Sequence, residues 1–229
     1  MGKFIDLSVD GKSMRTYFTT PSQNEKPKQG LILLQEAFGV NSHIQDLANR
    51  FTNEGYYVLA PEVFHRTAPA GFTCGYTEFN LASPHFSAIN SKTLMADSKA
   101  CFDYLKNEVK ADDVSCVGYC LGGRAAYIVN TELQLKAAVA YYGGRMSDYL
   151  ALAPQQKAPL LLLWGGLDEH IPTEQRRSIA DALTKAKRSY VEVEFSWAQH
   201  GFSCNERASY NEKAAKQAWV LTLQFLKMP

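Results

Sequence analysis

Three residues in this chain have the types and the order that nucleophilic catalysis needs. Cys120 stands between glycines in Val117-Gly118-Tyr119-Cys120-Leu121-Gly122-Gly123-Arg124. A thiol in such a place can attack a carbonyl carbon if a neighbouring base takes its proton and a third group orients the base. Downstream, Gly165-Gly166-Leu167-Asp168-Glu169-His170 offers an acid, and Ala198-Gln199-His200-Gly201-Phe202 offers a histidine. The three types occur in the right order, each after its own predicted strand, which is far more specific than any one of them. Taken singly, Cys120 reads equally as a small buried hydrophobe, Asp168 as a turn former, and His200 as a solvated loop residue. Glu169 and His170 compete with Asp168, but Asp168 lies nearest the end of its run.

These groups need rigid elements beneath them. Val114 to Gly118 reads as a strand and about Leu121 to Asn130 as a helix, so Cys120 falls at a sharp strand-to-helix turn. The G-x-C-x-G spacing matches the G-x-S-x-G turn of α/β-hydrolases, which pushes the nucleophile out above a sheet. The helix N-terminus beyond it supplies free N–H groups and partial positive charge, which favour a thiolate and a developing oxyanion. The remaining chain alternates strands and helices. Lys3 to Val9 and Ser13 to Thr19 flank an Asp10-Gly11 turn. A polar loop over 21–30 precedes the apolar run from Leu31 to Leu34. Helical spacing runs from His43 to Gly55, with Asn41 or Ser42 as its cap, and Tyr56 to Ala60 is a strand. The stretch from Phe64 to Ser91 has no clean period, and a helix covers Asp97 to Val109. Strands over Ala137 to Tyr141, Leu160 to Trp164 and Val191 to Phe195 follow. Helices over Thr173 to Lys187 and Tyr210 to Leu226 complete the pattern. Continuous apolar strands between helices imply a mostly parallel central sheet with helices on both faces. No linker or repeat interrupts it, so residues 1–229 are expected to form a single domain.

Composition narrows the classes. With 229 residues, 46% hydrophobic and 12% aromatic, the chain can build a full core. A formal charge of +1 offers no field for nucleic acid or an anionic membrane. No apolar run approaches the ~20 residues of a membrane span, and Met1 to Asp10 has no leader-like pattern. Five cysteines at irregular spacing, with no Cys/His cluster, suggest free thiols, a cytoplasmic location and no metal site.

Five segments together resemble the dienelactone hydrolase (carboxymethylenebutenolidase) family of α/β-hydrolases. They are Gln35-Glu36-Ala37-Phe38-Gly39-Val40-Asn41, Gly118-Tyr119-Cys120-Leu121-Gly122-Gly123, Tyr141-Tyr142-Gly143, Gly165-Gly166-Leu167-Asp168 and Gln199-His200-Gly201-Phe202. The resemblance implies a Cys120–His200–Asp168 triad and a Glu36 that interacts with the resting thiol and helps generate the thiolate. It also implies an oxyanion hole at the N–H groups of Leu121 and Ala37. Phe38, Tyr142 and Arg207 are expected to bind substrate. The implied activity is hydrolysis of lactones or small esters, with no cofactor or metal, by a monomer or weak homo-oligomer. The best-known members grip a substrate carboxylate with two arginines. Neither is at a matching position here: Phe72 to Phe86 contains no arginine, and Gly201 to Cys204 follow His200. A redox-responsive or ligand-binding protein on the same scaffold, or a thioester or peptide hydrolase, are the competing readings. A pure binder needs none of the three triad residues.

Overall fold

The computed structural model describes residues 2–22 and 28–228. Half of the polar loop expected over 21–30, residues 23–27, therefore lies outside the described residues, and its last two residues, Gln29 and Gly30, belong to a strand. Two compact units divide the chain, residues 1–116 and 117–229.

In the first unit, β1 (Lys3–Val9) and β2 (Lys12–Thr19) form an antiparallel hairpin in which Val9 faces Lys12. Asp10 and Gly11 both adopt positive φ, 51° and 74°, the backbone that a tight two-residue hairpin turn demands. β2 pairs antiparallel with β4 (Tyr56–Pro61), which pairs parallel with β3 (Gln29–Leu34). Leu31, Ile32 and Leu33 of β3 are fully buried, as their unbroken apolar run predicts. Burial of each such side chain contributes about 1.5–3 kcal/mol. Helix α1 (Ser42–Asn53) starts where Asn41 caps it, its side chain accepting from the Ile44 N–H at 3.2 Å.

Two expectations need correction here. The long helix, expected from Asp97, begins as α3 at Ser91 (Ser91–Tyr104), after a short α2 (Phe79–Ala88) inside the stretch that shows no period. Asn90 and Thr93 form a reciprocal capping box, which nucleates α3 six residues early. Its C-terminal part is a π-helical turn, Leu105–Val109, closed by Lys110 in a left-handed conformation. α2 hides from the eye because Pro84 lies within it and only Ala82 is buried.

β5 (Asp113–Tyr119) carries the chain into the second unit. There β6 (Ala138–Tyr141), β7 (Leu160–Gly165) and β8 (Tyr190–Phe195) pair in parallel, in that order. All six residues of β7 are buried, whereas Glu192 and Glu194 of β8 are exposed. Helices α4 (Leu121–Val129), α5 (Thr173–Lys185) and α6 (Glu212–Leu226) separate the strands. α6 starts two residues later than expected because Asn211, not Tyr210, caps it, accepting from the Ala214 N–H at 3.0 Å. A 3-10 segment over Met146–Gln155 is not signalled by periodicity; it contains Pro154 and kinks at Tyr149. The pairing is mostly parallel, and strands alternate with helices, as the sequence predicts. Among the described residues no helix is long and apolar enough to cross a membrane.

Candidate active site

Cys120 ends β5 and is the N-cap of α4. Its backbone is strained, at φ 54° and ψ −109°, a conformation that L-residues rarely adopt. The strain persists because the surroundings determine it. The Cys120 N–H donates to the Tyr141 carbonyl at 3.0 Å, and the Cys120 carbonyl accepts from the Arg124 N–H at 3.2 Å. Gly118 is obligatory, since a Cβ there would overlap the Gly122 carbonyl. A Cβ on Gly123 would lie 2.6 Å from the Tyr141 carbonyl oxygen. The Leu121 N–H is the first of the helix and has no carbonyl within the helix to receive it.

Asp168 follows β7 in a loop that is stitched to the segment after β8. Gly166 N–H donates to the Phe195 carbonyl at 2.8 Å, and Leu167 N–H to the Ala198 carbonyl at 2.9 Å. The loop that holds the acid and the loop that leads to the histidine are thus one hydrogen-bonded assembly. Asp168 is only 5% exposed. One carboxylate oxygen accepts from His200 Nδ1 at 2.7 Å, and the other from the His170 N–H at 2.9 Å. Gly201 at φ 75° turns the chain immediately after His200, where the Arg207 guanidinium packs about 2.5 Å from the position a Cβ would take.

His200 is therefore held between Asp168 and Cys120. Burial alone pushes this imidazole down. The charge of Cys120, the hydrogen bonds to Asp168 and to Cys120, and the charge of Asp168 together outweigh burial and raise it to about 10. Such surroundings favour the protonated imidazolium. Cys101, Cys116 and Cys204 are buried, while Cys120 and Cys74 are partly accessible. Burial holds the Cys101 and Cys116 thiols well above their ordinary value, so neither is a nucleophile.

Tyr142 is fully buried and packs against the histidine. Its ring centroid lies 5.0 Å from that of His200 and 5.3 Å from that of Phe202, and its hydroxyl is 3.0 Å from Ser203 Oγ. A φ of 36° at Tyr142 is what turns the ring there. Sequence reading also passed over His170 as a partner, whose ring meets His200 edge-on at 5.2 Å. Arg176 of α5 was missed as well. It is buried and donates to the Gly165 carbonyl at 2.7 Å, fixing the root of the Asp168 loop. No short motif marks either residue; the one signal for Arg176 is its spacing from Ile179 and Leu183, which puts it on the buried apolar face of α5.

The first unit holds the remaining expected residues. Glu36 is 1% exposed, so it is not a solvated loop carboxylate. Its carbonyl accepts from the Gln35 side chain at 3.0 Å, whose oxygen in turn accepts from the Val63 N–H at 3.3 Å. Gly39 at φ 83° lets the loop pass against the Phe72 carbonyl. Ala37 is buried, and Phe38 packs 4.7 Å from the Tyr76 ring and 6.5 Å from that of Phe79. In the second unit Cys204 is fully buried.

Comparison with known proteins identifies the family. The model of the dienelactone hydrolase family matches residues 14–228. A protein of Synechocystis sp., provisionally named a carboxymethylenebutenolidase, is 33% identical over 96% of this chain and 98% of its own length. A similarly named protein of Escherichia coli O157:H7 is 31% identical over 98% of this chain and 86% of its own. A crystal structure from Klebsiella pneumoniae, provisionally described as a dienelactone hydrolase, superposes with a TM-score of 0.91 at 28% identity. It covers 100% of this chain and 99% of that one. The chain belongs to the dienelactone hydrolase family and is a carboxylic ester hydrolase with the α/β-hydrolase fold.

Proposed function

We propose that this chain hydrolyses lactones or small carboxylic esters through a Cys120–His200–Asp168 triad. The observation that carries the reading is the position of His200: bonded to Asp168 at 2.7 Å through Nδ1 and raised by the charge of Cys120.

The chemistry runs in two halves. His200 takes the Cys120 proton, and the thiolate attacks the carbonyl carbon. A C–S bond forms while the carbonyl electron pair moves onto oxygen. The oxyanion is assigned to the N–H groups of Leu121 and Ala37. Collapse breaks the C–O bond to the leaving oxygen, which takes the proton from His200. In a lactone that oxygen stays tethered to the acyl chain. The thioester now carries no charge on sulfur, so the strongest influence raising His200 disappears while burial still lowers it. His200 is thereby converted from a stable imidazolium into a competent base. It deprotonates water, a new C–O bond forms, the C–S bond breaks, and the carboxylate leaves. Asp168 fixes the tautomer throughout. Glu36 keeps the role the family resemblance gives it, assisting release of the resting thiol's proton. Phe38 and Arg207 are assigned to substrate contact.

Short p-nitrophenyl esters and enol lactones test the reading. Wild type turns them over, and Cys120→Ala lowers kcat/KM by roughly 10³–10⁴-fold, the scale on which triads act. Turnover that survives this substitution refutes the nucleophile assignment.

A further inference from the structure

The segment that leads into α2 clasps the loop of Glu36, Ala37 and Phe38, and both lie in the first unit. Gly39 and Thr73 form an antiparallel bridge, and the Cys74 N–H donates to the Phe38 carbonyl at 3.3 Å. Asn41 fastens the next turn: its Oδ1 caps α1, while its Nδ2 donates to the Tyr76 hydroxyl at 3.0 Å. These bonds seat a row of rings. Tyr76 and Phe79 both meet the Phe38 ring edge-on, at 4.7 and 6.5 Å, and Phe86 meets Phe79 at 5.6 Å. Phe38 is buried, Tyr76 and Phe86 are half-buried, and Phe79 is 43% exposed. α2 buries only Ala82, so folding leaves much of the outer ring in water.

Charge in this segment points the same way. Between Phe72 and Phe86 the only acidic or basic side chains are Glu78 and His85. Glu78 accepts from the Gly75 N–H at 2.8 Å. His85 has Thr67 Oγ1 at 3.0 Å from its Nδ1 and the Phe72 ring at 4.7 Å. A carboxylate laid on the row would lose hydration, gain no lysine or arginine from this segment, and meet Glu78. An uncharged aromatic group would gain burial and edge-to-face contact instead.

We propose that Tyr76 and Phe79 are specificity-determining residues. With Phe38 they seat an uncharged aromatic group of the substrate, so that the chain prefers neutral, aryl-bearing esters to esters that carry a carboxylate. The inference rests on the hydrolase reading and on the assignment of Phe38 to substrate contact, and it adds the class of substrate. Phe38 ties the row to the reaction because it follows Ala37, the assigned oxyanion donor.

Trifluoroethyl esters test the inference, because their leaving group is small, activated and not aromatic. The acetate, the phenylacetate and the succinate half-ester differ only on the acyl side. Benzyl and ethyl acetate place the ring on the alcohol side instead. Acid release by the full chain is followed by titration at constant pH. In at least one series wild type prefers the phenyl ester to the plain one by about tenfold in kcat/KM, the scale of a hydrophobic contact. The succinate half-ester is turned over no better than the acetate. Phe79→Ala lowers the phenyl preference by about fivefold, chiefly through KM. Phe79→Tyr keeps the ring and the preference, and Phe79→Arg raises the succinate-to-acetate ratio. Phenyl preferences near one in both series overturn the inference. So does a folded Phe79→Ala that keeps the wild-type preference, including one that changes only the oligomeric state, which would make the row a contact between copies of the chain. Should that variant not fold, wild type decides: a succinate half-ester turned over as fast as the phenylacetate overturns the inference. Binding separates this inference from the hydrolase reading. Phenylacetamide, titrated against Cys120→Ala by NMR, should bind more tightly than acetamide, and Phe79→Ala in that background should remove the difference. That result with no ester turned over by wild type would sink the triad and leave this inference standing. Turnover without phenyl preference would do the reverse.

Discussion

Replacing Asp168 by asparagine removes one charge beside His200 and almost no volume, so its consequences follow from electrostatics and hydrogen bonding rather than from packing. The carboxylate receives two donors, His200 Nδ1 at 2.7 Å and the His170 N–H at 2.9 Å. Asparagine has one oxygen and one NH₂ group, and only two placements. If its oxygen faces the His170 N–H, its NH₂ group faces His200 Nδ1. The imidazole must then accept at Nδ1 and carry its proton on Nε2, the nitrogen that should take the thiol proton. If its oxygen faces His200, two donors oppose each other near His170 in a buried loop, which costs about 1–3 kcal/mol. The first placement is the cheaper and selects the inactive tautomer. The same substitution in serine triads lowers kcat by about 10⁴-fold. A loss of roughly 10³–10⁴ in kcat/KM, about 4–5.5 kcal/mol of transition-state stabilisation, is expected here. Stability should change far less, by about the 1.5–3 kcal/mol of a charge-assisted bond. Ester hydrolysis and a thermal melt measure the two separately. A folded Asp168→Asn variant with activity within tenfold of wild type would refute the assignment of Asp168 as the orienting acid.

Two further outcomes rest on other parts of the site. Gly118→Ala forces a Cβ against the Gly122 carbonyl at the elbow, so it should destabilise by about 3 kcal/mol and lower activity at least 10²-fold; a wild-type melt would show that the turn has room to relax. His200 binds its proton more tightly folded, at about 10, than unfolded, at about 6.5. Its contribution to stability is fully present below about pH 6.5 and is lost as pH rises towards 10. The difference in unfolding free energy between wild type and His200→Gln should therefore shrink steadily over that window, and a difference that grows with pH contradicts the charged pairing.

The parts of the site that the sequence revealed are those built by local backbone. An apolar strand, a glycine-flanked thiol and a helix start are consecutive, so the Cys120 turn can be read without any tertiary knowledge. Asp168 and His200 are each legible as a residue in the loop that follows its own strand. What was missed comes from residues whose partners are distant in the chain. Tyr142 reads as a motif residue, but only its φ of 36° shows that the ring turns onto His200. Arg176 reaches back eleven residues to the Gly165 carbonyl. α2 and the early start of α3 escaped because a Pro and a capping box decide them rather than hydrophobic period.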